Sequence, residues 1–187
     1  MSNLSLKELS LKYEHFETPE WAAKAILEKE ILTPLVFDAG CGLGVLSRAA
    51  LSKAERVISM DVHDWGYEPT IIDDFLAFQW ISDPGEFSVF MNPPFSKAVQ
   101  FVEKSIDLGA RKIVCFQRFA WWESKKRKDF WEKLPPNRIY ICGDRADCWR
   151  HDIPQDQRGG SSPTAHAWFV WEKGHPRGTL LSHIYKK

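Results

Sequence analysis

The 187-residue chain has no Cys-x-x-Cys pair, no long uninterrupted apolar run, no internal repeat and no net charge. Each absence removes a class of protein. Four scattered cysteines, Cys41, Cys115, Cys142 and Cys148, make no disulfide framework. Cys142, Cys148 and His151 have part of a zinc site's spacing but no fourth ligand, so free buried thiols and no metal are expected. With no apolar run and no leader pattern at the N-terminus, a soluble cytoplasmic protein without a membrane partner is expected. The glycine-rich stretch lacks the Gly-x-Gly-x-x-Gly spacing of dinucleotide binders, which weakens a pyrophosphate reading. What remains is 44% hydrophobic, enough for one sizeable core. Residues 1–187 are therefore read as a single domain, with a lead-in over 1–15.

The most informative stretch is Asn92-Pro93-Pro94-Phe95. It follows Phe87-Ser88-Val89-Phe90-Met91, an apolar run bounded by Pro84-Gly85 that reads as a short buried strand. Two consecutive prolines hold the residues before them extended and cannot continue a hydrogen-bond ladder. The Asn92 amide oxygen and the Pro93 carbonyl become two stiff acceptors, with the Phe95 ring just beyond. A planar exocyclic amine on a stackable ring fits that frame. Its lone pair is delocalised and poorly nucleophilic; two acceptors aimed at its N–H groups favour localisation and stabilise the positive charge that develops on attack. The same four residues also read simply as a proline-rich turn after a strand.

Earlier in the chain, Thr18 is a good N-cap and Pro19 suits the first position of a helix over Ala22 to Glu30. Leu35-Val36-Phe37 runs as a strand into Asp38-Ala39-Gly40-Cys41-Gly42-Leu43-Gly44, and a helix follows from Val45 to about Lys53. Strand, glycine-rich turn and helix form the first half of a nucleotide-type α/β unit. Glycines there let a ligand approach the backbone, and Asp38 suits a ligand amine or a held water; ordinary loop glycines are the plainer alternative. Arg56-Val57-Ile58-Ser59-Met60 is a second strand ending in Asp61, 23 residues after Asp38 and near the spacing that places a carboxylate on a ribose. A third, Ile71-Ile72, ends in Asp73-Asp74-Phe75, where an acid beside an aromatic can accept from an adenine amine and pack on its ring.

These motifs follow one another in the order used by amino-methyltransferases. The chain resembles a class I S-adenosylmethionine-dependent methyltransferase of the N6-adenine kind, particularly the short phage- or prophage-encoded ones, over roughly residues 16–173. The resemblance implies a Rossmann-like α/β fold, about seven strands in a mostly parallel sheet, with helices on both faces. It implies S-adenosyl-L-methionine as cofactor, with Thr18, Asp38, Gly40, Gly42 and Gly44 around its methionine half. Asp61 would hold the ribose hydroxyls, and Asp74 and Phe75 would frame the adenine. Asn92, Pro93, Pro94 and Phe95 would grip the target amine. Many members carry tyrosine where Phe95 stands, and no separate target-recognition domain is expected after the catalytic fold. The implied reaction is methyl transfer to N6 of adenine in nucleic acid, DNA before RNA. A protein glutamine side-chain amide is the rival substrate, because that nitrogen is equally delocalised. A catalytically idle binding subunit is the non-enzymatic rival.

Charge is unevenly spread. Residues 1–110 carry a net charge of −8 and residues 111–187 a net charge of +8. One face suited to a cation and another to a polyanion would explain this, as would opposite charges pairing across the fold. Helix is expected over Lys97 to Gly109 and strand over Ile113 to Phe116. Lys125 and Lys126 belong to a basic run that suits a solvated helix or phosphate contact. Arg138–Cys142 and Ala165–Trp171 are read as the last two strands, a hairpin-like pair at the sheet edge. Between them Gly143 to Thr164 is a long polar loop with Arg145, Arg150 and Arg158, suited to a mobile flap over a nucleic-acid backbone. Trp121 and Trp122 are core packing or a bracket for an extruded base.

Overall fold

A computed structural model describes residues 5, 8, 9, 12–159, 164–176 and 178–187. Parts of the lead-in and the Gly160–Pro163 stretch of the long loop lie outside the described residues. The elements run α1 (Glu20–Leu27), β1 (Leu35–Ala39), α2 (Val45–Ala50), β2 (Arg56–Asp61), β3 (Ile71–Ile72), β4 (Phe87–Met91), α3 (Ala98–Asp107), β5 (Lys112–Arg118), α4 (Lys128–Lys133), β6 (Arg138–Cys142), β7 (His166–Glu172) and β8 (Leu180–Ile184). They form one eight-stranded sheet ordered β3-β2-β1-β4-β5-β7-β6-β8. β7 is antiparallel to both its neighbours, while the other pairings are parallel. This is the Rossmann-like α/β fold expected, with helices on both faces.

Alternate strand residues feed two cores. Val36, Phe90, Phe116 and Trp168 pack under α1 and α2 with Ala22, Ile26 and Leu46. Phe37, Val89, Cys115 and Phe169 pack on the other side with Phe101, Val102 and Phe130 of α3 and α4. Because both faces are covered, β1 and β4 read as nearly continuous apolar runs. Trp121 is buried in the second core, against Trp131 and Phe169, and so is packing rather than a bracket for a base.

Two corrections concern the edge. An eighth strand, β8, pairs in parallel with β6, so the β6–β7 pair does not end the sheet. Only Ile184 of β8 is buried. The strand is held through its main chain and leaves no apolar pattern to read. The third correction is at α1, whose N-cap position is Pro19, with no side-chain cap bond. The Thr18 hydroxyl is engaged elsewhere.

The order of strands reverses between β1 and β4. The glycine-rich turn leaves the carboxyl end of β1, and the Asn92 turn leaves that of β4. Ligands of open α/β sheets bind at such a switch point.

Candidate functional site

Above the carboxyl ends of β1, β2 and β4 lies a cavity of about 290 Å³. Thr18, Gly40, Gly42, Asp61, Asp74, Phe75, Asn92 and Pro94 all line it, so residues spread over three-quarters of a hundred positions meet in one wall. Asp38, Gly44, Pro93 and Phe95 stand behind or beside that wall rather than in it.

The turn after β1 is tight. Gly40 N–H and Cys41 N–H both donate to the Met60 carbonyl, at 2.8 and 2.9 Å. Gly42 and Gly44 have φ of +52° and +71°, and each lies against a ring. A Cβ on Gly42 would sit 2.6 Å from His15 Nε2, and one on Gly44 would sit 2.3 Å from the Tyr67 ring. Here the glycines make room for the protein's own side chains as well as for positive φ.

Asp38 is fully buried. Its Oδ2 accepts from Ser47 Oγ at 2.6 Å, while Oδ1 has no hydrogen-bond partner. Burial pushes this carboxyl up to about 7, with the charge of Asp61 adding to the shift and the Ser47 bond opposing it. A buried acceptor left unpartnered is costly, and an ammonium or water donor brought beside it would relieve the cost. Asp61 is already engaged: Oδ2 accepts from Gly42 N–H at 2.9 Å and Oδ1 from Trp65 Nε1 at 3.0 Å. His63 N–H also donates to Oδ1 at 3.2 Å, so the spare lone pair lies on Oδ2, open to a hydroxyl. Asp74 Oδ1 accepts from Leu76 N–H at 3.0 Å, and the Phe75 ring packs on Phe37 and Phe101. An ammonium, a hydroxyl and a flat aromatic ring thus have complementary groups in one wall or just behind it, and the residues fit the cofactor that the resemblance implies.

At the other end of the wall both hydrogens of the Asn92 amide nitrogen are taken. Nδ2 donates to the Phe16 carbonyl at 3.1 Å and to Thr18 Oγ1 at 2.9 Å. Oδ1 is therefore the acceptor the amide has to offer. The Pro93 carbonyl is not wholly free as expected: Gln117 Nε2, on the buried end of β5, donates to it at 3.1 Å. One lone pair remains. The Phe95 ring packs on Phe16 at 5.2 Å, and the exposed Arg118 guanidinium lies 4.2 Å from its centroid.

The cavity has a cover that no local sequence pattern announces. Residues 15–17 and 149–151 form a short antiparallel ribbon through the Phe16–Arg150 bridge, with Glu17 N–H on the Trp149 carbonyl at 2.8 Å. The His15 and His151 rings stack at 4.8 Å and Trp65 packs on both, so the cavity is roofed by aromatic and imidazole rings. Burial, then His151, lowers His15 to about 4, and its Nδ1 has no partner. These residues are scattered singly, and only tertiary pairing brings them together.

The ribbon corrects the reading of the long loop. Arg158 donates two bonds of 2.7 Å to Glu17, and Arg150 is paired with Asp152. These two arginines anchor the loop instead of facing solvent for a polyanion. Arg145, Lys125 and Lys126 are exposed. Lys125–Arg127 is a 3₁₀ turn leading into α4, and Arg127 is held by the Trp121 carbonyl at 2.9 Å. Among the described residues no group of three or more His, Cys, Asp or Glu is arranged to hold a metal ion. Nor is any described helix long and apolar enough to cross a membrane.

No family model matches the chain, and no curated protein matches it. Solved structures do. An inferred RNA methyltransferase from Pyrococcus horikoshii is similar with a TM-score of 0.55 and 19% identity, over 90% of this chain and 98% of that one. The modification subunit of an inferred type I restriction enzyme from Vibrio vulnificus has a TM-score of 0.62 and 14% identity, over 96% of this chain and 52% of that one. The 23S rRNA methyltransferase ErmE has a TM-score of 0.53 and 13% identity, over 87% and 71%. The chain spans about half the restriction subunit's length. At such identities the likeness establishes the fold. That fold is the class I methyltransferase fold.

Proposed function

We propose that the protein transfers a methyl group from S-adenosyl-L-methionine to the exocyclic N6 amine of adenine in nucleic acid, DNA before RNA. The observation that carries this reading is the Asn92 amide. Its nitrogen is spent on Phe16 and Thr18, so its oxygen is presented as an acceptor on the wall shared with the cofactor cavity. Among the solved structures similar to this chain are enzymes named for methylating RNA and a restriction-modification subunit, which favours a nucleic-acid substrate.

The cofactor supplies an electrophilic methyl group on a sulfonium. Asp38 Oδ1 would hold its ammonium directly or through water, Asp61 a ribose hydroxyl, and Asp74 with Phe75 its adenine, while Gly40 and Gly42 let it lie against the turn. Asn92 Oδ1 and the free lone pair of the Pro93 carbonyl accept the two N–H groups of the target amine. Both bonds strengthen as the nitrogen becomes cationic, so they act on the transition state more than on the bound substrate. Gln117 fixes the carbonyl's direction. Phe95 offers its ring face to the base once Arg118 has moved aside. No general base is required, because a methylated aryl ammonium loses its proton readily to water. A duplex substrate must first extrude the base, at a cost of a few kcal/mol.

The test of the cofactor half is calorimetric titration with S-adenosylhomocysteine, the demethylated product. Binding is expected, and Asp38→Ala and Gly40→Val should each weaken it, the latter because a β-branched residue is strained at a φ of +78°. Equal affinity in both variants contradicts the assignment.

A further inference from the structure

We propose that Thr18 is a positioning residue for Asn92 and not a cofactor ligand: with the Phe16 carbonyl it clamps the amide so that Oδ1 faces the target amine. This rests on the reading of Asn92 given above.

Thr18 sits where a helix cap belongs, yet α1 takes Pro19 as its N-cap and receives no side-chain bond. The hydroxyl is 6% exposed as a residue, and its oxygen accepts from Asn92 Nδ2 across 74 residues of sequence. The Phe16 carbonyl takes the second hydrogen. The Phe16 carbonyl, which can only accept, chooses the orientation of the amide, and the Thr18 hydroxyl, accepting the other hydrogen, holds it in place. Were it flipped, Asn92 Oδ1 would face the Phe16 carbonyl, two acceptors with no proton between them, while the NH₂ group would point at an amine that carries only donors. Neither arrangement can pair.

The clamp belongs to a segment that also roofs the cavity. Glu14 accepts from the Ser96 N–H at 3.0 Å and from its hydroxyl, one residue beyond Phe95. Phe16 packs on Phe95, Glu17 is paired with Arg158, and His151 N–H donates to the His15 carbonyl at 3.1 Å. Covering the cofactor and aligning the target-amine acceptor are consequently one event. With residues 14–18 lifted, the amide is free to turn.

The experiment uses the full chain with Thr18→Val, which keeps the shape and removes the acceptor, and Thr18→Ser, which restores it. Hydrogen exchange of the Asn92 side-chain amide, followed by NMR, reads the clamp directly. Slow exchange is expected in the wild type and in Thr18→Ser, and faster exchange in Thr18→Val. Single-turnover methyl transfer to adenine-containing DNA at saturating cofactor should fall about three- to tenfold in Thr18→Val, the size of one neutral hydrogen bond, and recover in Thr18→Ser. Affinity for S-adenosylhomocysteine should change less than twofold. Wild-type amide protons that exchange like those of an exposed asparagine overturn the clamp, even if Thr18→Val does not fold. A tenfold loss of S-adenosylhomocysteine affinity with the amide still protected would return Thr18 to the cofactor. The exchange reading is independent of the substrate: a wild type that methylates no nucleic acid defeats the functional reading alone.

Discussion

At the amino ends of β5 and β6, Glu30, Lys112, Arg138 and Glu172 bring four charges into a partly or wholly buried cluster, and each has a partner. Lys112 Nζ meets Glu30 at 2.8 Å and Glu172 at 3.4 Å, Arg138 bridges the same two acids, and the Tyr140 hydroxyl donates to Glu30 at 2.8 Å. At the carboxyl ends of β1 and β4 the buried groups are left short. Asp38 Oδ1, His15 Nδ1 and His63 Nε2 have no partner, and Asn92 Oδ1 offers itself to a cavity. The first cluster is complete without a ligand, while the second is complete only with one. Single unpaired atoms also occur elsewhere, at Trp80 Nε1, Trp131 Nε1 and His166 Nδ1, so it is their grouping beside one cavity that points to a ligand.

Their responses to pH have opposite signs. Burial alone would raise Glu30, but bonds from Arg138, Lys112 and Tyr140 outweigh it and hold the carboxyl below its ordinary value. That cluster's contribution is present at neutral pH and is lost only as pH falls through the lowered value. Asp38, raised from 3.8 to about 7, binds a proton in the folded chain that the unfolded chain has released. Its contribution is full below about 4 and is lost as pH rises to about 7.

Breaking the paired end should have the largest effect on stability. Glu30→Ala leaves Lys112 and Arg138 buried with one acid between them and should cost about 3–5 kcal/mol in denaturant unfolding. Cofactor affinity of the folded fraction should be unchanged; a loss of affinity would join the two ends that this account separates. Asp38→Asn should do the reverse. It removes the fall in stability between about pH 4 and 7, seen as a flattened Tm profile, and weakens S-adenosylhomocysteine binding. A profile identical to wild type would mean that Asp38 is not the titrating group. The smallest effect concerns the rim. Arg145→Ala, at an exposed arginine of the long loop, should leave stability nearly intact and reduce the log–log salt slope of duplex DNA binding by about 0.9, the value of one phosphate contact. Arg150→Ala with Arg158→Ala should leave that slope alone, since both cations are spent on Asp152 and Glu17.

Much of this arrangement was legible beforehand where local pattern and chemistry coincide. β1 and β4 announce themselves as apolar runs ended by a glycine-rich turn and a double proline, and Gly40, Gly42 and Asn92 of those turns meet in one wall. What was hidden depends on pairing at long range. β8 buries one residue and pairs through its backbone. The capping reading of Thr18 failed because the Asn92 amide, distant in sequence, competes for its oxygen. The roof of His15, Trp65 and His151 exists only once residues 15–17 meet 149–151. The arginines of the long loop looked available because a sequence does not show which acids will face them.

The central claim is that Asn92 Oδ1 acts on the nitrogen of an adenine amine. It is tested most directly by single-turnover transfer of labelled methyl from S-adenosylmethionine to adenine-containing DNA, RNA and a glutamine-bearing protein, comparing wild type with Asn92→Ala. Label is expected at N6 of adenine in nucleic acid, with a rate about 10²–10³ lower in a folded Asn92→Ala variant that still binds S-adenosylhomocysteine. Label in the protein substrate alone, or a wild-type rate from Asn92→Ala, would contradict it.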